Sequence, residues 1–312
     1  MAVSTGPGPR LTLSDLRGST ARRRREAILR TAFASAAMLS IVISIAIIAS
    51  LVGQAAGFLF QVDPGTLLER GWFPRRELFG IPTIVAGTFM VAGIGMLVAT
   101  PLGLGAAIYL SEYASTRVRR TIKPILEVLA GIPSVVLGYF ALSFLSPTVV
   151  DAVCPGQTNI FNMAAAGIAV GILITPLIAS VAEDALYAVP RSMREASYGL
   201  GAKKRTTSLK IVFPAAVSGI VAALILGMSR GIGETMVVAM AAGASGGSLF
   251  QINPCMPGQT MTAAMTALAT GSDQVRGLAF PSLFFVGFLL FVMTLTLNLV
   301  ADAFVRRVRT RY

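Results

Sequence analysis

The sequence predicts an all-α integral membrane protein with six transmembrane helices. Three observations carry that prediction. Hydrophobic residues make up 54% of the 312 positions and charged residues only 13%, about half the charged share of a soluble domain. Mean hydropathy is +0.75. Uncharged runs long enough to cross a bilayer as helices, about 20 residues each, recur along the chain. In lipid every backbone polar group needs an internal partner, which leaves helices or a closed barrel, and these runs are far too long for barrel strands.

Residues 1–30 read as a basic, largely disordered tail, because Met1 to Ser19 are rich in Gly, Pro, Ser and Thr and seven arginines follow or interrupt them. The apolar run after Arg30 is much longer than the core of a signal peptide, and no small-x-small site closes it, so it is read as a retained first span, Thr31–Val62. Residues 31–77 hold this span and an external loop; the loop runs from Asp63 to Phe79 and contains Trp72, expected to anchor at the membrane interface. Residues 78–305 form a five-helix core. Its spans are Leu78–Ser111, Val128–Val150, a fourth that includes Ala164–Ala182, Ile211–Ser229 continuing past two charges to Gly243, and Gly277–Ala301. Gly131 and Pro133, just after Glu127, are expected to kink or unwind the third span near its start. Pro101 and Pro176 lie inside spans, which neighbouring helices allow in a membrane. A second basic tail, 306–312, closes the chain.

Charge asymmetry orients these spans. Cations cluster before the first span, at Arg117 to Lys123, at Arg191 to Lys210, and from Arg306 onward, whereas the opposite loops hold only Arg70, Arg75, Arg76 and Arg276. By this count 21 of the 26 Lys and Arg lie on one side, so both termini are expected in the cytoplasm. The same rule accounts for the net charge of +12, and a nucleic-acid partner is not implied. Glu183 and Asp184, near the inner end of the fourth span, are expected to answer the cations of the following loop. No G-x-x-x-x-G-K-[ST] motif is present, so ATP is not bound through a P-loop, and the absence of histidine removes most acid–base and metal chemistry.

Between the fourth and fifth spans lies a polar, basic stretch from Arg194 to Pro214, R-E-A-S-Y-G-L-G-A-K-K-R-T-T-S-L-K-I-V-F-P. Pro190 and Ser192 suit a helix start, with Glu195 favourably placed in the first turn. Gly201 ends such a helix or admits close backbone approach. An ordinary basic loop would share the charge but not the spacing that follows. Glu195-Ala196-Ser197, then Gly201, then Ile211 and Pro214 resemble the EAA signature of ABC importer permeases, in which E-A-A is followed at fixed intervals by G and I-x-L-P. Ser197 stands for the second alanine and Phe213 for the leucine. The resemblance implies that residues 190–214 are a coupling loop whose short helix docks into a cleft of a separate ATPase subunit.

Two further features carry chemistry. Arg230 and Glu234 lie inside the fifth span, four residues apart, so on a continuous helix they share a face and can pair. Charges at that depth cost a few kcal/mol each and rarely face lipid. One reading is an ion pair that packs two helices; the reading adopted is a lining of a translocation path, with Arg230 as an anion contact. Gly227, Gly231 and Gly233 thin the same region. The two cysteines, Cys154 and Cys255, fall in the second and third external loops, each beside a Pro-Gly turn, in the runs Cys154-Pro155-Gly156-Gln157-Thr158 and Cys255-Met256-Pro257-Gly258-Gln259-Thr260. Facing an oxidising compartment they are expected to form a disulfide, the alternative being two free thiols. Two thiolates without histidine cannot complete a zinc site, so no metal is expected.

S-R-G-I-G-E-T-M-V-V-A-M around Arg230, with G-A-A-I-Y-L-S-E-Y-A at Gly105 to Ala114, resembles the permeases of the bacterial high-affinity phosphate importer, the PstC form more than the PstA form, from about Ile81 to the C-terminus. The resemblance implies the type I ABC importer permease (MetI-like) fold in a bacterial inner (plasma) membrane, and a phosphate permease without a catalytic site. It implies a PstA-like second permease chain, two PstB-like ATPase subunits and a PstS-like extracytoplasmic phosphate-binding protein as partners within the lipid bilayer. No cofactor is expected in this chain, since ATP and Mg would be bound by the ATPase. In that family the residues matching Arg230 and Glu234 are implicated in transport. A permease for another oxyanion is the nearest alternative. An autonomous secondary transporter or channel, using Arg230 and Glu234 as a relay, is the alternative from another class and has no use for a coupling loop.

Overall fold

The computed structural model describes residues 20–156, 159–243, 247–271 and 277–308. The expected disordered segment, Gln157 and Thr158, Arg276, and Arg309 and Arg311 lie outside the described residues. Six described helices are long and apolar enough to cross a membrane: Arg24–Leu59, Ile81–Tyr113, Ser134–Val153, Met163–Tyr187, Lys204–Ile232 and Ala279–Arg307. The chain divides at Leu51 and Val52 into two units. In the first, helix α1 (Thr20–Leu59) starts well ahead of the expected boundary at Thr31. The alanines, arginines and glutamate of that lead-in are strong helix formers, so the helix extends back through them.

The second unit begins with the last turns of α1. A hairpin follows, in which β1 (Trp72–Phe73) pairs antiparallel with β2 (Leu78–Phe79). Pro74 and the left-handed Glu77 (φ 58°) turn the chain tightly enough to face Trp72 inward. Trp72 is 1% exposed and packs edge-on against Phe79, which meets Phe58 at 5.0 Å, with Phe285 stacked beyond. The expected interfacial anchor is therefore a core residue. A buried ring there removes far more apolar surface from water than an interfacial one. Its backbone exchanges two hydrogen bonds with Ser248, of 2.8 and 2.9 Å.

The centre of the bundle is the crossing of α2 (Ile81–Ile108) with α5 (Met163–Tyr187). Gly167 and Gly171 form a small-xxx-small stripe on α5. A Cβ at Gly167 would sit 2.7 Å from that of Ile94, and one at Gly171 would sit 2.8 Å from the Gly95 carbonyl oxygen. Helices in lipid gain their attraction from close van der Waals packing, and only glycine permits this approach. Ala165, Ala166, Ala169, Val170 and Ile174 fill the surrounding core with no exposed surface.

Two spans depart from their expected limits. The third begins at Ser134, not Val128, as α4 (Ser134–Phe140) continuing through wider turns to Val150. Ahead of it stands a separate amphipathic helix, α3 (Thr116–Leu129), capped by Ser115. Gly131 and Ile132 close tight turns onto Val128 and Leu129, and Pro133 forbids continuation, so the expected kink is a full break. Val118, Ile122, Ile125 and Leu129 then recur on one face of α3, with Arg117, Arg120 and Thr121 elsewhere. The fifth span, α7 (Phe213–Ile232), stops at Ile232 instead of running on to Gly243. A short α8 (Met236–Ala241) and α9 (Met261–Thr270) follow before the sixth span, α10 (Ala279–Val308).

Candidate functional site

The loop between the fourth and fifth spans folds into the predicted short helix, α6 (Arg191–Gly199), entered through Pro190; because it starts at Arg191, Glu195 falls beyond the first turn and not within it as expected. Gly201 adopts φ +77°, its N–H donates to Tyr198 O, and Ala202 N–H donates to Ser197 O. This is the left-handed stop that glycine supplies without strain. No atom lies near enough to crowd a Cβ at Gly201, so within this chain its conformation rather than close approach requires glycine. Glu195, Ala196 and Leu200 are exposed, Leu200 at 90%. Ser197 points the other way: it is buried, and its hydroxyl meets that of Thr207 at 2.8 Å, which gives the alanine-to-serine departure a partner. Ile211 is half-buried and Pro214 exposed at the start of α7. Without an N–H, Pro214 frees a carbonyl in the preceding turn, and residues Ser208–Val212 wind more widely there.

Beneath α6 lies an ion pair that sequence reasoning missed. Arg194 donates to Glu112 Oε1 through Nε (3.2 Å) and Nη2 (2.8 Å), and to the carbonyls of Leu186 (2.9 Å) and Val189 (2.5 Å). The Ser208 hydroxyl lies 3.3 Å from the other carboxylate oxygen, Oε2, and 3.0 Å from Lys204 O, and its one hydrogen is shared between them. Glu112 is an acid at the end of an apolar run, which was the available signal. A second buried acid, Glu183, has no exposed surface and accepts from Arg119 at 2.6 Å and Lys123 at 2.9 Å, both on α3. Asp184 joins Lys123. The acids of the fourth span thus answer α3, not the loop they were expected to face. The reason is the unforeseen helix, which brings both cations over the end of α5. Burial by itself lowers the Lys123 pKa, but hydrogen bonds to Asp184 and Glu183 outweigh it and hold the ammonium above its ordinary value. The Arg119 guanidinium, also stacked 3.6 Å over the Tyr187 ring, is likewise raised against its burial.

Arg230 and Glu234 are brought close in the chain but not joined. Among the described residues no hydrogen bond or ion pair connects them, because α7 ends between them at Ile232. Each charge is instead answered by a helix end. Arg230 sits exposed in the last turn of α7, where carbonyl dipoles favour a cation. Glu234 precedes α8 and accepts from Val237 N–H at 3.4 Å, while its own carbonyl accepts from Thr262 at 2.8 Å. Gly231 and Gly233 were the sequence signal for this break. Of the three glycines only Gly227 serves tight packing, since a Cβ there would lie 2.7 Å from Ile178.

At the other end of the same spans the structure joins Cys154 to Cys255, with Cα atoms 6.2 Å apart. The segment around Cys255 is stitched to the start of α5: Ala164 N–H donates to Pro254 O and Met163 N–H to Met256 O, which satisfies helix N–H groups that have no partner in their own helix. Removing the link by Cys154→Ser should cost up to about 4–5 kcal/mol by the chain entropy of a loop of about 100 residues, with membrane confinement reducing the loss. Non-reduced peptide mass spectrometry, with thermal unfolding of the variant in detergent, measures both; two alkylatable thiols in native membranes would contradict the link.

The chain is similar to known transport proteins over most of its length. The profile of the family described as "Binding-protein-dependent transport system inner membrane component" matches residues 99–311. The phosphate transport system permease protein PstC of Haemophilus influenzae is 31% identical over 286 residues, covering 86% of this chain and 89% of that protein. PstC of Mesorhizobium japonicum is 28% identical and covers 95% of both chains. Among solved structures, a chain of a bacterial ABC transporter involved in the import of the acidic polysaccharide alginate superposes with a TM-score of 0.62 at 17% identity, over 92% of this chain and all of that one. A chain of the inward-facing MetNI methionine ABC transporter gives 0.52 at 21% identity, over 77% of this chain and 97% of that one. At such identities the likeness to these structures concerns the fold.

Proposed function

Because the chain belongs to the family of binding-protein-dependent transport system inner membrane components, and within it to the phosphate permeases, we propose that it imports phosphate along a path lined by Arg230 while α6 receives the stroke of a separate ATPase. It is a transport component, with ATP hydrolysis assigned to another chain. The single observation that carries the substrate is similarity to PstC over nearly the full length of both proteins. The exposed face of α6, with Glu195, Ala196 and Leu200 around the glycine stop, supports docking. A permease for another oxyanion would share the fold, but nothing specific favours it, and an autonomous transporter leaves an exposed coupling helix unexplained.

On this reading both termini and α6 are cytoplasmic, as the basic loops require. A PstA-like chain would complete the path, two PstB-like subunits would bind ATP and Mg, and a PstS-like protein would deliver phosphate to the opposite face. A guanidinium suits the path because its planar fork offers paired donors to phosphate oxygens.

Reconstitution of the complex into liposomes, scored by labelled phosphate uptake with and without the ATPase, tests the function. Uptake should require ATP and the ATPase; uptake without them would overturn it. Gly201→Trp should leave insertion intact and uncouple hydrolysis from uptake, because the residue is strained at positive φ and its ring would stand in the docking cleft. Wild-type uptake by that variant would remove the docking role.

A further inference from the structure

We propose that Glu112 is a positioning residue that locks the docking helix to two spans, so that α6, the end of the second span and the start of the fifth move as one body. The proposal rests on the docking reading of α6 and goes beyond it by naming the linkage through which a displacement leaves the helix.

Glu112 is only 3% exposed in its side chain, and its two oxygens face different elements. Oε1 takes the Arg194 fork from α6, and Oε2 takes the Ser208 hydroxyl from the lead-in to α7. Arg194 also holds the carbonyls of Leu186 and Val189, where the fourth span ends. The carboxylate therefore joins the end of the second span to α6 and to the lead-in of α7, and Arg194 carries the link on to the end of the fourth span. Both Glu112 and Ser208 lie in widened helical turns, Tyr109–Tyr113 and Ser208–Val212, a geometry that recurs at functional sites. A buried ion pair resists separation, because parting it leaves a charge uncompensated. A side chain that served only to fill space would need neither the carboxylate nor the fork.

The test uses the full complex with its ATPase and spin labels at Ser192→Cys on α6 and Leu102→Cys on the second span. Cys154 and Cys255, joined to each other, take no label. The distance between labels should be the same without nucleotide and with ATP. With Glu112→Gln it should shift between the two states by at least about 2 Å, the scale of helix shifts at interfaces. Phosphate moved per ATP hydrolysed should then fall about tenfold or more, the loss expected for one charge-assisted hydrogen bond. Arg194→Lys keeps the charge but not the fork, and should do the same if Glu112→Gln fails to assemble. A wild-type distance that changes on ATP binding, or an unchanged transport-to-hydrolysis ratio in both variants, overturns the proposal alone. A Ser192 label whose mobility ignores the ATPase overturns the docking reading and the proposal with it.

Discussion

Arg230→Met should reduce phosphate uptake by about 100-fold or more in the reconstituted complex, given that hydrogen bonds to charged groups contribute about 1.5–3 kcal/mol each and the fork can make two. Arg230→Lys should also impair transport, since a point charge cannot reproduce paired donors. Among the described residues no bond joins Glu234 to Arg230. Its carboxylate caps α8 rather than holding Arg230, so Glu234→Gln, whose amide oxygen still accepts from Val237, should change uptake far less than any change at Arg230. A simple resting ion pair would make the two variants comparable. Labelled phosphate uptake, with subunit assembly checked in parallel, decides between them. Wild-type transport by Arg230→Met with Glu234→Leu would remove Arg230 from the phosphate path.

Replacing Arg119 and Lys123 together by alanine should destabilise the chain by about 3–5 kcal/mol, because Glu183 would be left buried and unpaired. Glu183→Leu should cost less. It strands only cations that retain about a quarter of their side-chain surface and can hydrate, and it adds apolar packing. Thermal unfolding of the detergent-solubilised chain measures this asymmetry; equal losses would contradict it. The clamp also has a predictable pH response. The raised Lys123 pKa means its contribution is fully present below the unfolded value of about 10.4 and lost as pH rises through the higher folded one. Stability from this group should therefore hold through neutral pH and decline only in strong alkali.

What the sequence determined by itself follows from rules that act along the chain. Six spans, the α6 helix and its glycine stop depend on run length, helix capping and backbone freedom, each a property of neighbouring residues. Long uncharged runs have no alternative to helix in lipid, and Gly201 at the end of a polar helix has few conformations to choose from. The pairing of Arg230 with Glu234 rested on an uninterrupted helix, and Gly231 and Gly233 already held the signal against it.

Tertiary structure alone decided which distant groups answer one another. Glu183 could have faced any of several cation clusters, and only the break before Ser134, which leaves α3 as a separate helix, brings Arg119 and Lys123 to it. Glu112 and Arg194 are 82 positions apart, and Trp72 finds its aromatic partners only when the hairpin turns inward. A buried charge or ring states that it needs a partner, and desolvation makes that need strong. The partner's identity is set by where the packed helices place their ends, which no local pattern contains.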